Sequence, residues 1–258
     1  SAANLVLAFA GTVTEHTGTV TITGSVNVSQ LKTINDATTG DITLEVTSDS
    51  LFGTASDLAD AFAGTVTTHT GTVIITDEPT ASQLKTINDA TTGAITLNDV
   101  NGALSGSASD LVDAFAGTVT EHTGTVTITD AATVAQFNTI NAETTQNVVL
   151  SGGVSDTAAA YAATDGATTA GLTAIAAQDA DVAITISDAP TVAQLVTINA
   201  ATTGAITLST ANGALSGSAA NLVLAFAGTV TEHTGTVTIT DAPTVAQLVT
   251  INAATTGA

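Results

Sequence analysis

The 258-residue chain has no cysteine, no methionine, no tryptophan and no arginine, and it has only two lysines. Each absence excludes something. Without cysteine there is no disulfide framework and no thiol chemistry. Lys32 and Lys85 stand against 23 acidic residues, for a formal charge of −21. Nothing can neutralise a phosphate backbone, so nucleic-acid binding is excluded, and docking to an anionic membrane is disfavoured for the same reason. No window approaches 18 consecutive apolar residues, so no membrane insertion is expected. Aromatics make up only 3% of the chain. A wide core needs bulky side chains, whereas a thin layer between sheet and helix can be filled by Ala, Val, Ile and Leu.

What is present is repetition. The string Ala-Phe-Ala-Gly-Thr-Val starts at Ala8, Ala61, Ala114 and Ala225, at spacings of 53, 53 and 111. A second marker starts at Val28, Ala81, Val134, Val192 and Val245, spaced 53, 53, 58 and 53. Residues 1–23 recur unchanged at 218–240, and residues 188–205 recur at 241–258. The irregular copy, about 152–188, carries five extra residues, and Tyr161 is read there in the Phe position. Leu58, Leu84 and Leu111 are 26 and 27 residues apart, so each 53-residue repeat divides into two coils of like grammar.

Each coil opens as a short helix. Thr80, Thr133, Thr191 and Thr244 precede a Gln by three residues, the capping-box pattern, while Thr54 and Ser107 precede an Asp. Gly64, Gly117 and Gly228, or Gly93 and Gly204, are read as terminators. Each coil closes as a strand. In Thr236-Val-Thr-Ile-Thr240 the apolar residues alternate with threonine, which sets Val237 and Ile239 inward. Helix and strand in steady alternation imply parallel pairing. The expected fold is an α/β solenoid of 26–27-residue coils, with a parallel sheet on one side and short helices on the other. About nine and a half coils make a single domain over 1–258, in which strands about 4.8 Å apart form one sheet. The pattern is cut at both ends, which leads to the expectation of an excerpt from a longer chain or a subunit that stacks end to end.

Candidate chemistry recurs with the repeat. Asp77, Asp130, Asp188 and Asp241 end the longer strands; they are calcium candidates, with an Asx turn ahead of the next helix as the simpler role. No other cofactor is expected. Asn35, Asn88, Asn141, Asn199 and Asn252 follow the Ile of every second helix, placed for a structural ladder that satisfies groups a short helix leaves open. His16, His69, His122 and His233 share one turn; copies two coils apart cannot share an ion, so they are read as surface turn residues. No phosphate loop, nucleophile elbow or helical zinc motif is present, and a catalytic site should be unique where these acids recur. The chain is therefore not expected to be an enzyme.

The grammar of Ser-Ala-Ser-Asp-Leu, Thr-Val-Ala-Gln-Leu and a closing Ile-Thr-Leu or Thr-Ile-Thr-Asp resembles the repeat regions of giant bacterial secreted and cell-surface proteins, of adhesin, surface-layer or extracellular-matrix type. That resemblance implies an extracellular or cell-surface location and a structural role whose partners are copies of itself, end to end or lateral. A passive spacer within a giant adhesin is the alternative, and an ice-binding threonine array a further one.

Overall fold

Helices begin where a side chain can reach an amide that the first turn leaves open. In the computed structural model, which describes residues 1–11 and 15–257, Ala81–Asp89, Val192–Ala201 and Val245–Ala253 start on Thr80, Thr191 and Thr244. Each threonine closes a reciprocal capping box with the Gln three residues on. Asn27 does the same with Gln30 for Val28–Asp36. Ala55–Ala61 and Ala108–Ala114 start on Thr54 and Ser107, whose hydroxyls accept from the Asp57 and Asp110 amides. The inner helices bury one or two bulky side chains completely, Leu58 and Leu111 in the shorter ones and Leu31 with Ile34 or Leu84 with Ile87 in the longer ones. The first Ala-Phe-Ala-Gly-Thr-Val string is described only through Gly11, since Thr12 and Val13 lie outside the described residues.

Contacts divide the chain into two compact units, Ser1–Thr127 with Ala142–Gln146, and Ile128–Asn141 with Asn147–Ala258. In the first, the helices Ala2–Phe9, Val28–Asp36, Ala55–Ala61, Ala81–Asp89 and Ala108–Ala114 pack in consecutive pairs. Strand Val20–Ile22 pairs with Ile42–Leu44, and Leu51–Gly53 pairs with Val73–Ile75, which pairs with Ile95–Leu97. In the second unit, Val154–Asp156, Ile184–Ile186 and Ile206–Leu208 form one sheet, and Leu215–Gly217 with Val237–Ile239 another. All these pairings are parallel. The fold is thus an alternation of short helices and parallel strands in small sheets.

Two expectations change here. A regular repeat has three strands rather than two, because the Leu-x-Gly stretch just before alternate helices, as in Leu51–Gly53, joins the ladder beside Val73–Ile75. Three residues without alternation carry no strand signal of their own; the neighbour's open edge supplies the hydrogen bonds. Partner residues are also 22 apart, as in Leu51 with Val73 and Val73 with Ile95, so the pairing does not follow the 26–27-residue helix step. Short sheets therefore replace the single continuous one. Their outer edge is extended by single bridges, such as Ile42 to Val66, where Thr67 donates to the Ile42 carbonyl at 2.9 Å.

The glycines sort into two kinds. Gly64, Gly117 and Gly228 hold φ of 78°, 82° and 72° just past their helices, a region open to glycine. Gly93 and Gly204 do not terminate helices in this way. A Cβ on Gly93 would overlap the backbone of Gly71, and one on Gly204 the backbone of Asp181 and Val182. They mark where successive turns of chain approach too closely for a side chain.

Candidate functional site

The recurrent polar residues gather where one stretch of chain meets another. Asp77 Oδ1 accepts from the Ala55 amide at 2.7 Å, Asp188 Oδ1 from Ala158 at 2.7 Å and Asp241 Oδ1 from Ala219 at 2.8 Å. Each of these alanines is the first residue of a helix. The aspartate at the end of one strand thus caps the helix that opened the same coil, where a carboxylate also meets the favourable end of the helix dipole. Asp130, the remaining member of the set, follows Val126–Ile128 at the same place in its repeat. Among the described residues no group of three or more His, Asp or Glu side chains gathers that could hold a metal ion.

The asparagines act one joint further on. Asn35, Asn88 and Asn199 donate through Nδ2 to the carbonyls of Asp60, Asp113 and Leu224, at 2.8, 2.9 and 2.8 Å. Those carbonyls belong to the last turn of the next helix, where intrahelical donors run out. The bond therefore crosses between coils instead of closing within one turn. Asn141 meets the irregular copy and accepts from Gln178 Nε2 at 3.0 Å. Asn252 is exposed.

Both cations lie beside this bond. Lys32 reaches Asp57 at 2.8 Å and Asp60 at 2.7 Å, and Lys85 reaches Asp113 at 2.7 Å and its own helix's Asp89 at 3.1 Å. The paired carboxylates hold both ammonium groups above their ordinary pKa, and Lys32 holds the Asp57 carboxyl below its own. In the later copy, Val196 and Leu224 take the places of Lys85 and Asp113. An exposed ionic pair has been exchanged for an apolar pair at one and the same joint.

The histidines correct the surface-turn expectation. His16 is exposed, but His69, His122 and His233 are only 2%, 4% and 1% exposed. Each packs against the Phe seven residues before it, with ring centroids 5.9–6.2 Å apart. His69 Nε2 donates to the Asp49 carbonyl at 2.8 Å, and His233 Nε2 to the Gly213 carbonyl at 2.6 Å. A carbonyl only accepts, so Nε2 carries the proton, and the neutral ring leaves Nδ1 of His69 bare towards Thr91 Oγ1 at 3.4 Å. Burial pushes the His69 and His122 imidazoles below their ordinary pKa. Thr91 completes the turn by donating to the His69 carbonyl at 3.0 Å and accepting from the Gly93 amide at 2.9 Å. Sequence reading missed this threonine; its signal was the fixed Phe-to-His spacing and the constant Thr two residues before Gly93.

The irregular copy holds a packed interior. Tyr161 occupies the place of Leu111 rather than that of Phe115, three residues into a helix that starts at Ala158 as its counterpart starts at Ala108. It is fully buried, and its hydroxyl donates to the Thr185 carbonyl at 3.3 Å. Burial raises its pKa. Gln194, also buried, donates to the Ala162 carbonyl at 2.8 Å. Open grooves lie in the regular coils, one of about 380 Å³ along Phe62–Val66 and one of about 350 Å³ in the equivalent place along Phe226–Val230. They recur with the repeat as the acids do. No helix among the described residues is long and apolar enough to cross a membrane. The chain matches no protein-family model, no curated protein and no solved structure.

Proposed function

We propose that this is a structural, self-associating α/β solenoid of a bacterial cell surface or extracellular filament or matrix, without catalytic activity. The observation that carries this reading is that the polar chemistry is used to tie successive stretches of chain together. The aspartate caps join the end of a coil to its own first helix, while the asparagine clasps and the lysine pairs join that helix row from one coil to the next. A protein whose recurrent side chains make joints is suited to building length.

The sheet faces support lateral packing as well. The middle residue of a strand points away from the core, and in Leu51–Gly53 that residue is Phe52, exposed and in register beside Ile74. Most other outward positions are threonine or serine, as in Thr21 beside Thr43 and Ser216 beside Thr238, with exposed Val149 a second apolar exception. The charge of −21 opposes association at low ionic strength. Sedimentation velocity over rising protein, sodium chloride and calcium concentrations, with negative-stain microscopy of the same samples, tests the reading. Species larger than the monomer should grow with protein concentration and with salt. Dispersed monomers under every condition would overturn it.

A further inference from the structure

One turn recurs four times, and in one copy it is loose. His16, His69, His122 and His233 each bridge to a threonine 22 residues on, Thr38, Thr91, Thr144 and Thr255. In three copies the bonds are short. The amides of His16, His69 and His233 donate at 3.1, 2.9 and 3.1 Å, and their carbonyls accept from Thr39, Thr92 and Thr256 at 2.9 Å. The bridging hydroxyl donates to the same carbonyl, at 2.7 Å from Thr38 and Thr255 and 3.0 Å from Thr91. At His122 both backbone bonds, to the Glu143 carbonyl and from the Thr145 amide, lengthen to 3.3 Å. Thr144 Oγ1 donates instead to the Gly124 carbonyl at 3.4 Å, and His122 Nδ1 is left buried without a partner.

The sequence supplies the cause. Two residues after the threonine stand Gly40, Gly93 and Gly257 in the tight copies and Gln146 in the loose one. A Cβ on any of those glycines would overlap the carbonyl 22 residues back, at Gly18, Gly71 and Gly235. Gln146 carries such a Cβ in the place opposite Gly124, so this turn stands off where the others close.

We infer that the turn 143–146 is a built-in release point, which opens ahead of the rest of the ladder when His122 takes up a proton. Local opening starts where backbone bonds are longest and polar groups least satisfied. In the closed turn a proton on His122 Nδ1 meets no acceptor, whereas at His69 the Thr91 oxygen stands 3.4 Å from Nδ1. Once the turn is open, water solvates the imidazolium. Phe115 packs on the ring from the helix side. The acidic groups Glu78 and Asp99 favour the charged ring, while Glu121 is exposed beside it and Glu143 half-buried on the facing turn. Burial outweighs these carboxylates and keeps the closed ring neutral at pH 7. In a ladder otherwise tied rung to rung, acid therefore frees one rung first.

Hydrogen exchange on the 258-residue chain at low concentration tests the inference, read as protection over intrinsic rates at pH 7.5 and 5.5. At pH 7.5 the turn 143–146 should be protected about tenfold less than 90–93, the order of one overlap of this kind. Gln146→Gly should bring the two turns to the same level. At pH 5.5 protection of 143–146 should fall by about a further tenfold, and by more than that of 90–93, because the ring in the open turn titrates near 6.5. His122→Gln should abolish this fall, with circular dichroism showing that the fold is kept. Equal protection of the two turns at pH 7.5, or a Gln146→Gly chain that exchanges as the parent does, would overturn the release point. A fall with pH that persists in His122→Gln would overturn its link to the proton.

Discussion

A regular coil and the irregular one solve the same problem with different parts. In the regular coil that opens with Leu51–Gly53, the Ala55 amide meets Asp77 after 22 residues, and the span between is filled by Phe62, the Gly64 turn and the buried His69. In the irregular coil that opens with Val154–Asp156, the Ala158 amide meets Asp188 after 30 residues. There the Phe and His are gone; a short antiparallel bridge, Ala162 to Thr168, leads into an added helix, Ala170–Gln178. The loop ahead of this coil is shorter, with Val154 six residues after Val148 where Leu104 comes nine after Ile95. Eight residues more in the coil and three fewer in the loop give the net five that the sequence shows. The cap bond and the parallel ladder survive the change, whereas the histidine turn does not. Strand-end aspartate and strand register are therefore the fixed elements, and the turn is a filler that can be rebuilt.

The comparison can be broken most strongly at the core. Leu58→Ala in the regular coil should cost about 2–5 kcal/mol and Tyr161→Ala about 3–5 kcal/mol, read as shifts in chemical denaturation. Tyr161→Leu should cost clearly less than Tyr161→Ala, because leucine is what the regular coils place there. Equal losses for the two Tyr161 variants would show that the register drawn for the irregular copy is wrong.

Next come the close approaches. Gly93→Ala should destabilise by about 1–3 kcal/mol through overlap with the Gly71 backbone. Gly204→Ala, beside the irregular coil, should do the same. A neutral result at either position would mean that the spacing between turns can relax.

The conserved bond should matter about equally in both coils. Asp77→Ala and Asp188→Ala should each cost about 1 kcal/mol, the worth of a helix cap. If Asp188→Ala were silent and Asp77→Ala were not, the insert would have taken over the role of the cap.

The smallest effect at neutral pH is the one that separates the coils by chemistry. His69 and His122 titrate in the folded chain below their ordinary value near 6.5. Between the two values the unfolded chain binds more protons, so stability is flat above pH 7 and falls as pH drops through 6.5. A chain carrying His69→Gln and His122→Gln should lose part of that slope between pH 7.5 and 5.5 in denaturation midpoints. An unchanged slope would show that these rings do not control it. The irregular coil contains no histidine and so adds no imidazole titration to the slope.

Much of this fold can be read from the residues. The Thr-x-x-Gln pattern places helix starts because capping is local, and Leu31, Leu58, Leu84 and Leu111 mark the helix core because a regular step repeats one environment. The alternation in Val126–Ile128 marks a strand for the same reason. The Leu51–Gly53 strand was not legible, since its hydrogen bonds belong to Val73–Ile75, 22 residues away. The recurrence of aspartate and asparagine was visible, but the helix each serves was not, because the partner lies 22 or 25 residues away, in the asparagine's case in the next coil. The histidines looked like surface residues because a polar turn sequence does not reveal that chain on either side closes over it.

By itself, the sequence determined the repeat, the local elements and the charge that excludes whole classes of partner, all of which follow from short-range pattern and composition. Only the tertiary structure decided which strands pair, which turns are buried and which carboxylate caps which helix. Those depend on how coils of 26 or 27 residues are brought into a ladder whose rungs are 22 apart, a fit that packing sets and no local propensity encodes.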